Sequence, residues 1–251
     1  MADPAFEDPR LARLYDLLEG ARPDLGPYLA LAARFGATRV LDLGCGTGTF
    51  ACLLARRAVA VTGVDPARAS LDVARGKPFA DRVRWVAGDA SAVAPQTPDR
   101  SGGSPLQVDL VTMTGNVAQA IVAEEEWRGA LGVARTVLAP GGRLVFETRR
   151  PDREAWRQWT PDATRRHLDL PTGDHLEVWT EVLDVRPPLV TFRRHYRFGT
   201  EPPLWSDSTL RFRTRGEVEA TLAEAGLEVE GVGDAPDRPG LEYVFVARRP
   251  G

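Results

Sequence analysis

Two periods of apolar and polar residues divide this chain into elements. Short apolar runs ending at Leu43, Val64, Ala87, Met113 and Phe146 read as buried parallel strands, since a strand covered on both faces is apolar throughout. Segments of helical period fall between them. Residues 9–19 place Leu11, Leu14, Tyr15 and Leu18 on one face, and a helix capped by Asp24 turns Leu25, Tyr28, Leu29, Ala32 and Phe35 inward before Gly36. Phe50–Arg57 is amphipathic, a helix follows Pro66 to about Arg75, and Glu124–Leu138 buries Leu131, Ala134, Val137 and Leu138.

After Arg150 the pattern changes. Residues 152–159 read as a short helix displaying Trp156 and Trp159. Leu176–Val185, Leu189–Phe198 and Ser206–Phe212 alternate as strands, the first two joined by Pro187-Pro188. Along the middle one, Val190, Phe192, Tyr196 and Phe198 share a face, and Thr191, Arg193, His195 and Arg197 share the other. Thr214 then caps a helix broken at Gly226, and Leu227–Val232 and Tyr243–Arg248 are the last strands. Five strands alternating with helices, then an antiparallel segment, predict an α/β fold.

The chain has 251 residues and a net charge of −3, so no global basic field points to nucleic acid. No apolar run approaches the roughly 18 residues of a membrane helix, and Met1 is followed by an acidic segment, so a cytoplasmic protein is expected. Cys45 and Cys52 lack metal-ligand spacing and suit small apolar packing. Lys77 is the only lysine, Ile121 the only isoleucine and Asn116 the only asparagine. These types share A/T-rich codons, so a G/C-rich genome explains the bias, and their persistence marks them for attention. Residues 94–105, rich in Pro, Gly and Ser, read as a solvent loop with no assigned function.

The chemistry centres on Asp42 and the turn Gly44-x-Gly46-x-Gly48. Thr49 stands where the dinucleotide fingerprint needs its third glycine. Asp65 ends the next strand, where an acid can hold two ribose hydroxyls or cap the following helix. Asp89 ends the third strand in Gly88-Asp89-Ala90, and Leu138-x-Pro140-Gly141-Gly142-x-Leu144 introduces the fifth. With these motifs the chain resembles class I S-adenosylmethionine-dependent methyltransferases of the small-molecule type, similar to sugar N-methyltransferases and glycine-type N-methyltransferases.

That resemblance implies a Rossmann-like, seven-stranded, mostly parallel sheet with an antiparallel last strand. It divides the chain into an N-terminal helical lid (1–37), a cofactor domain (38–150 and 214–251) and an antiparallel β insert over the acceptor (151–213). It implies S-adenosylmethionine as cofactor and S-adenosylhomocysteine as product. Gly44, Cys45, Gly46 and Gly48 would cradle the methionine, with Asp42 beside its amino group. Asp65 and Pro66 would meet the ribose, Asp89 the adenine amino group, and the Ala90 N–H a ring nitrogen. Tyr15 and Tyr28 belong to the lid or are half-buried packing residues.

Thr114-Gly115-Asn116 would face the transferable methyl. Asn116 either meets the acceptor or occupies a left-handed turn position. An amine acceptor need only arrive unprotonated, whereas a hydroxyl benefits from a base. His195 is the candidate base, with a solvated residue on a polar sheet face as the alternative. Arg193 and Arg197 on that face suit an acidic acceptor. His167 and His175 lie in less regular segments.

A metal is not expected, because the turn supplies only Asn116. The expected partner is a small-molecule N or O acceptor, without nucleic acid or membrane, and a homodimer remains open. The base-amine signature Asn/Asp-Pro-Pro-Tyr/Phe is absent, which weighs against a nucleic-acid methyltransferase. A non-catalytic S-adenosylmethionine-binding module is the other alternative.

Overall fold

A computed structural model describes residues 3–94 and 106–251. The expected solvent loop therefore lies, from residue 95 onward, outside the described residues. The first half of the chain gives α1 (Pro4–Glu7), α2 (Pro9–Glu19), α3 (Leu25–Arg34), β1 (Arg39–Leu43), α4 (Thr49–Ala55), β2 (Ala60–Asp65), α5 (Arg68–Arg75) and β3 (Val83–Ala87). Next come β4 (Val108–Met113), α6 (Val117–Ala120), α7 (Glu124–Val137), β5 (Leu138–Arg149), α8 (Pro161–Thr164) and β6 (Arg166–Asp169). The chain ends with β7 (His175–Arg186), β8 (Leu189–Phe198), β9 (Leu204–Arg211), α9 (Arg215–Glu224), β10 (Glu228–Asp234) and β11 (Glu242–Arg248).

Seven strands form the main sheet in the order β10-β11-β5-β4-β1-β2-β3. The first five strands of the chain pair in parallel, while β11 runs antiparallel to β5 and to β10. Chain order reverses beside β1, whose neighbours are β2 and β4. Ligands of open parallel sheets collect at the carboxyl ends of strands around such a switch point.

Both faces of this sheet are covered. One core gathers α7 and α9 residues on the sheet around Trp127, Phe146 and Phe245. The buried Trp127 donates its indole N–H to Thr221 Oγ1 at 3.0 Å, satisfying its polar handle. The other core brings Leu25, Tyr28 and Ala32 of α3 against Phe50 and Leu54 of α4.

The second sheet is antiparallel, in the order β6-β7-β8-β9. Leu176, Val178, Tyr196 and Phe198 on its inner face form one core with Leu11, Leu14 and Leu18 of α2. The N-terminal helix and the insert therefore make a joint cover. Some elements differ from the sequence expectation. α1, α6, α8 and β6, none of them expected, are four residues each, too short to show a period. The expected helix at 152–159 is two 3₁₀ turns, Pro151–Arg153 and Ala155–Gln158, separated by Glu154 at φ 42°. Trp156 is buried there against Phe212, with ring centroids 4.6 Å apart, and is not displayed. Among the described residues, no helix is long and apolar enough to cross a membrane.

Candidate functional site

The glycine turn leaves β1 at the switch point. Gly44 has φ +69°, and a Cβ there would meet Val117 Cγ2 at 2.5 Å, so only glycine fits. Gly46 has φ +52° with nothing within 4 Å of a would-be Cβ, which leaves space for a ligand against bare backbone. The Gly44 and Cys45 N–H groups donate to the Val64 carbonyl at 2.8 and 3.1 Å, tying the turn to β2. Burial pushes the Cys45 thiol up.

Asp65 joins both halves of this cradle. Its Oδ2 accepts the Gly46 N–H and its Oδ1 the Ala67 N–H, each at 2.8 Å. It thus serves the start of α5 as well as the turn. Its burial raises its carboxyl above the usual range, against the pull of those two bonds. Pro66 is exposed and precedes the helix, which begins two residues later at Arg68. Asp89 is exposed at the end of β3, and its Oδ1 accepts the Ser91 hydroxyl at 2.6 Å and the Ser91 N–H at 2.8 Å. Those bonds hold its carboxyl below the ordinary value. Ala90 follows, half-buried.

Asp42 is 1% exposed at the end of β1. Its Oδ1 accepts the Thr112 hydroxyl at 2.8 Å, and its Oδ2 has no partner. Burial pushes this carboxyl up to about 7, while the Arg22 charge pulls the other way. An unsatisfied buried oxygen is costly unless a ligand supplies a donor. The α-ammonium of S-adenosylmethionine is such a donor, and Arg22 nearby suits the carboxylate of the same amino acid. The residues present fit this cofactor.

The N-terminal segment packs on the start of α5, beside that cradle. The Ser70 hydroxyl donates to the Phe6 carbonyl at 2.9 Å, and Glu7 Oε2 accepts the Arg68 N–H at 3.0 Å. Beside the cradle opens a cleft of about 660 Å³. It lies among α2, α3, the turn after β4, the end of β5 and the inner face of the second sheet. Tyr15 and Tyr28 both line it, and burial raises the Tyr15 hydroxyl to about 12.

The cleft floor is acidic. Glu147, near the end of β5, is 4% exposed. Its Oε1 accepts the Asn116 N–H at 2.7 Å, and the Gly115 N–H and the Tyr28 hydroxyl lie near the carboxyl and lower its pKa against the rise that burial imposes. Glu147 thereby fixes the backbone of the turn after β4, where Thr114 is half-buried. Asn116 takes φ +63° and donates from Nδ2 to Glu242 Oε1 at 3.3 Å, leaving its Oδ1 buried without a partner. Asn116 thus takes the left-handed turn position, and its Oδ1 is an unpartnered polar atom of a residue that lines the cleft. Burial raises the Glu147 carboxyl, and Glu147 Oε2 also lacks a partner.

His195 is elsewhere. It lies on the outer face of β8, stacked on Trp179 with centroids 4.6 Å apart, its Nε2 2.7 Å from Glu181 Oε1. The cleft is lined instead by Phe192, Arg194 and Tyr196 from the opposite face of the same strand. The expected base is therefore corrected: the apolar face turns inward because it packs on α2, and that carries His195, Arg193 and Arg197 outward. His167 and His175 also stand outside this cleft.

A family model described as a methyltransferase domain matches residues 40–142, which span the glycine turn and β4. The cypemycin N-terminal methyltransferase of a Streptomyces species is 34% identical over 240 residues, covering 92% of this chain and 91% of that protein. The chain belongs to the class I S-adenosylmethionine-dependent methyltransferases. Solved structures share its fold. The CcbJ methyltransferase from Streptomyces caelestis superposes with a TM-score of 0.73 at 22% identity, covering 96% of each chain. The sugar N-methyltransferase KedS8 from Streptoalloteichus sp ATCC 53650 gives 0.72 at 18% identity, covering 94% of this chain and 93% of its own.

In this methyltransferase, sequence reasoning missed Arg22, Glu147, Arg194 and Glu242. Glu147 carried a signal, since an acid interrupts the apolar run of β5 near its carboxyl end. Arg194 did too, as the one charged residue among Val190, Phe192, Tyr196 and Phe198 on the apolar face of its strand. Arg22 and Glu242 sit in or beside loops, where no periodicity marks a side chain as inward.

Proposed function

We propose that this enzyme methylates an amine nitrogen of a small molecule lying between the turn after β4 and the second sheet. One observation carries this reading. Among the described residues, Glu147 is a buried carboxylate of the cleft with no cation within ion-pair distance and an unpartnered oxygen. A buried, unpaired anion calls for a positive ligand, and an amine arrives as one. The named activities of the relatives, at the N-terminus of cypemycin and on sugar nitrogen, agree with it.

The cofactor, when bound, supplies an electrophilic methyl group on a positively charged sulfur. Asp65 and Asp89 would hold its nucleoside side, Gly44 and Gly46 its methionine part, and Asp42 with Arg22 its amino-acid end. The remaining work belongs to the chain. The Glu147 carboxylate attracts the ammonium and takes one of its protons, freeing the lone pair. A carboxyl raised by burial accepts that proton more readily than an ordinary one. The Asn116 Oδ1 orients a remaining N–H, and α1 and α2 with the second sheet exclude water. Methyl transfer by in-line displacement then depends on holding the nitrogen and the methyl in line, which is positioning. Residues 1–37 act as the lid and 151–213 as the cap over the acceptor.

The test is turnover of paired acceptors, amines against alcohols and phenols of matched shape, read as S-adenosylhomocysteine release and product mass. Amines are expected to react. Reaction of hydroxyl compounds with silence from every amine would overturn the reading.

A further inference from the structure

Several charges around the acceptor cleft are held by close partners. Arg22 grips Asp24 through contacts of 2.7, 2.9 and 3.0 Å. Arg238 donates to Glu242 at 2.8 Å. Arg149 donates to the Gln119 side-chain carbonyl at 3.1 Å and lies 3.5 Å from Glu242. Arg166 donates to the Leu18 carbonyl at 2.7 Å. Arg166 meets that carbonyl and no carboxylate, Asp3 makes no ion pair among the described residues, and two further lining groups stand on facing walls. One is Glu147 in the floor. The other is Arg194 in the roof, with a single carboxylate in range, Glu19 Oε1, 4.0 Å from its Nη1.

The setting of Arg194 makes this informative. It stands near the middle of β8, opposite Thr180 of β7 and Ser206 of β9, both buried and both at the cleft. Phe192 and Tyr196 flank it on the same face, and that face is otherwise apolar. A guanidinium carries five N–H donors in a planar fork suited to an oxyanion. Between aromatic neighbours it gives up part of its hydration, and a distant Glu19 returns little. The Ser206 oxygen already accepts the Ala5 N–H at 2.9 Å, but its own hydroxyl proton is free to join an anion beside Arg194.

We infer that the methyl acceptor carries an anionic group, a carboxylate or a phosphate-type oxyanion, seated on Arg194 while its amine faces Glu147. This rests on the amine reading above and adds the second half of the acceptor. Glu147 and Arg194 have opposite sign and come from opposite walls of the cleft, floor and roof. A molecule bearing both charges would satisfy them together, and a cleft of about 660 Å³ accommodates one of metabolite or short-peptide size. Arg194 thereby acts as a specificity determinant.

The test uses matched compounds. Amino acids and short peptides with a free carboxylate are compared with their amides, and amino sugar phosphates with the unphosphorylated amino sugars. Hydroxy acids and their amides form a third arm. Each is titrated by calorimetry into protein holding S-adenosylhomocysteine, and each is turned over with S-adenosylmethionine. An anionic amine should show a KM at least about tenfold below its neutral counterpart, the scale of a charged hydrogen-bonded contact, with kcat little changed. The carboxylate and phosphate arms identify the oxyanion. Arg194→Gln should abolish the preference and Arg194→Lys retain part of it, both with unaltered cofactor affinity and melting temperature.

Amines that bind and react without preference for the anion would overturn the inference and leave the amine reading standing, as would a preference surviving in Arg194→Gln. Hydroxy acids that react in an Arg194-dependent way, with amines silent, would overturn the amine reading alone. Absence of binding by every anionic compound would overturn the role given to Arg194.

Discussion

The Nζ of Lys77 lies 2.7 Å from Oδ2 of Asp16, and this pair ties α2 to the segment after α5, beside the glycine turn. Lys77 also donates to the Thr49 hydroxyl at 2.6 Å and to the Thr47 hydroxyl at 3.1 Å, while Thr47 Oγ1 lies 2.7 Å from Asp16 Oδ1. A compact ammonium with three donors meets three separate oxygens, where a planar guanidinium would not. The one lysine of an arginine-rich chain thus stands at the seam between α2 and the cofactor turn. Lys77→Arg and Lys77→Ala are both expected to weaken cofactor affinity by about three- to tenfold, mainly through faster release. Calorimetry and stopped-flow displacement measure it, and unchanged release would show that the seam does not gate the cofactor.

Asp42 makes cofactor binding depend on pH. Burial raises its folded carboxyl from 3.8 to about 7, so in the ligand-free enzyme it loses its proton late. A raised folded pKa contributes stability that is full below the unfolded value and lost as pH rises toward about 7. A bound ammonium favours the charged form, so cofactor affinity should climb between pH 6 and pH 7.5, by at most about tenfold per unit. Asp42→Asn should bind more weakly and flatten both the affinity and the stability profiles. Profiles of unaltered slope in that variant would assign the pH dependence to another group.

Glu147→Gln tests the floor of the cleft. The amide keeps a carbonyl for the Asn116 N–H but loses the charge and the proton acceptor. Turnover should fall by about 10²- to 10⁴-fold, the usual worth of a positioned base, with cofactor affinity within about threefold. The burial that raises this carboxyl means the variant should melt no lower than the wild type at neutral pH. Turnover near the wild-type rate would remove Glu147 from the chemistry.

His195→Ala should leave kcat and KM within about twofold, because the imidazole stacks on Trp179 away from the cleft. Its cost should appear as a lower melting temperature, on the scale of a partly exposed stacked pair, about 0.5–1.5 kcal/mol. A large fall in kcat with the fold intact would return His195 to the mechanism.

Some of the site is local in origin and readable along the chain. Asp42, Asp65 and Asp89 stand at the ends of three strands whose positions follow from apolar runs and glycine turns. Gly44 and Gly46 announce a left-handed backbone, which glycine adopts without steric cost. Other parts depend on distance in space. Glu147 is 31 residues from Asn116 and Glu242 is 126, yet both carboxylates meet on that one residue, Glu147 at its backbone N–H and Glu242 at its side-chain amide.

The second sheet shows the division most sharply. Alternation along β8 separates Phe192 and Tyr196 from His195 without contacts of any kind, because successive side chains of a strand point to opposite faces. Which face looks into the cleft was decided only when Leu11, Leu14 and Leu18 of a helix far away in sequence buried the apolar one. Desolvation drives that choice, since covering the face with His195, Arg193 and Arg197 would strip charges of water. By itself, then, the sequence determined the methyl donor, through a turn whose geometry is local. Tertiary packing decided the cleft, carrying Arg194 and Glu147 to opposite walls of it and His195 out of it.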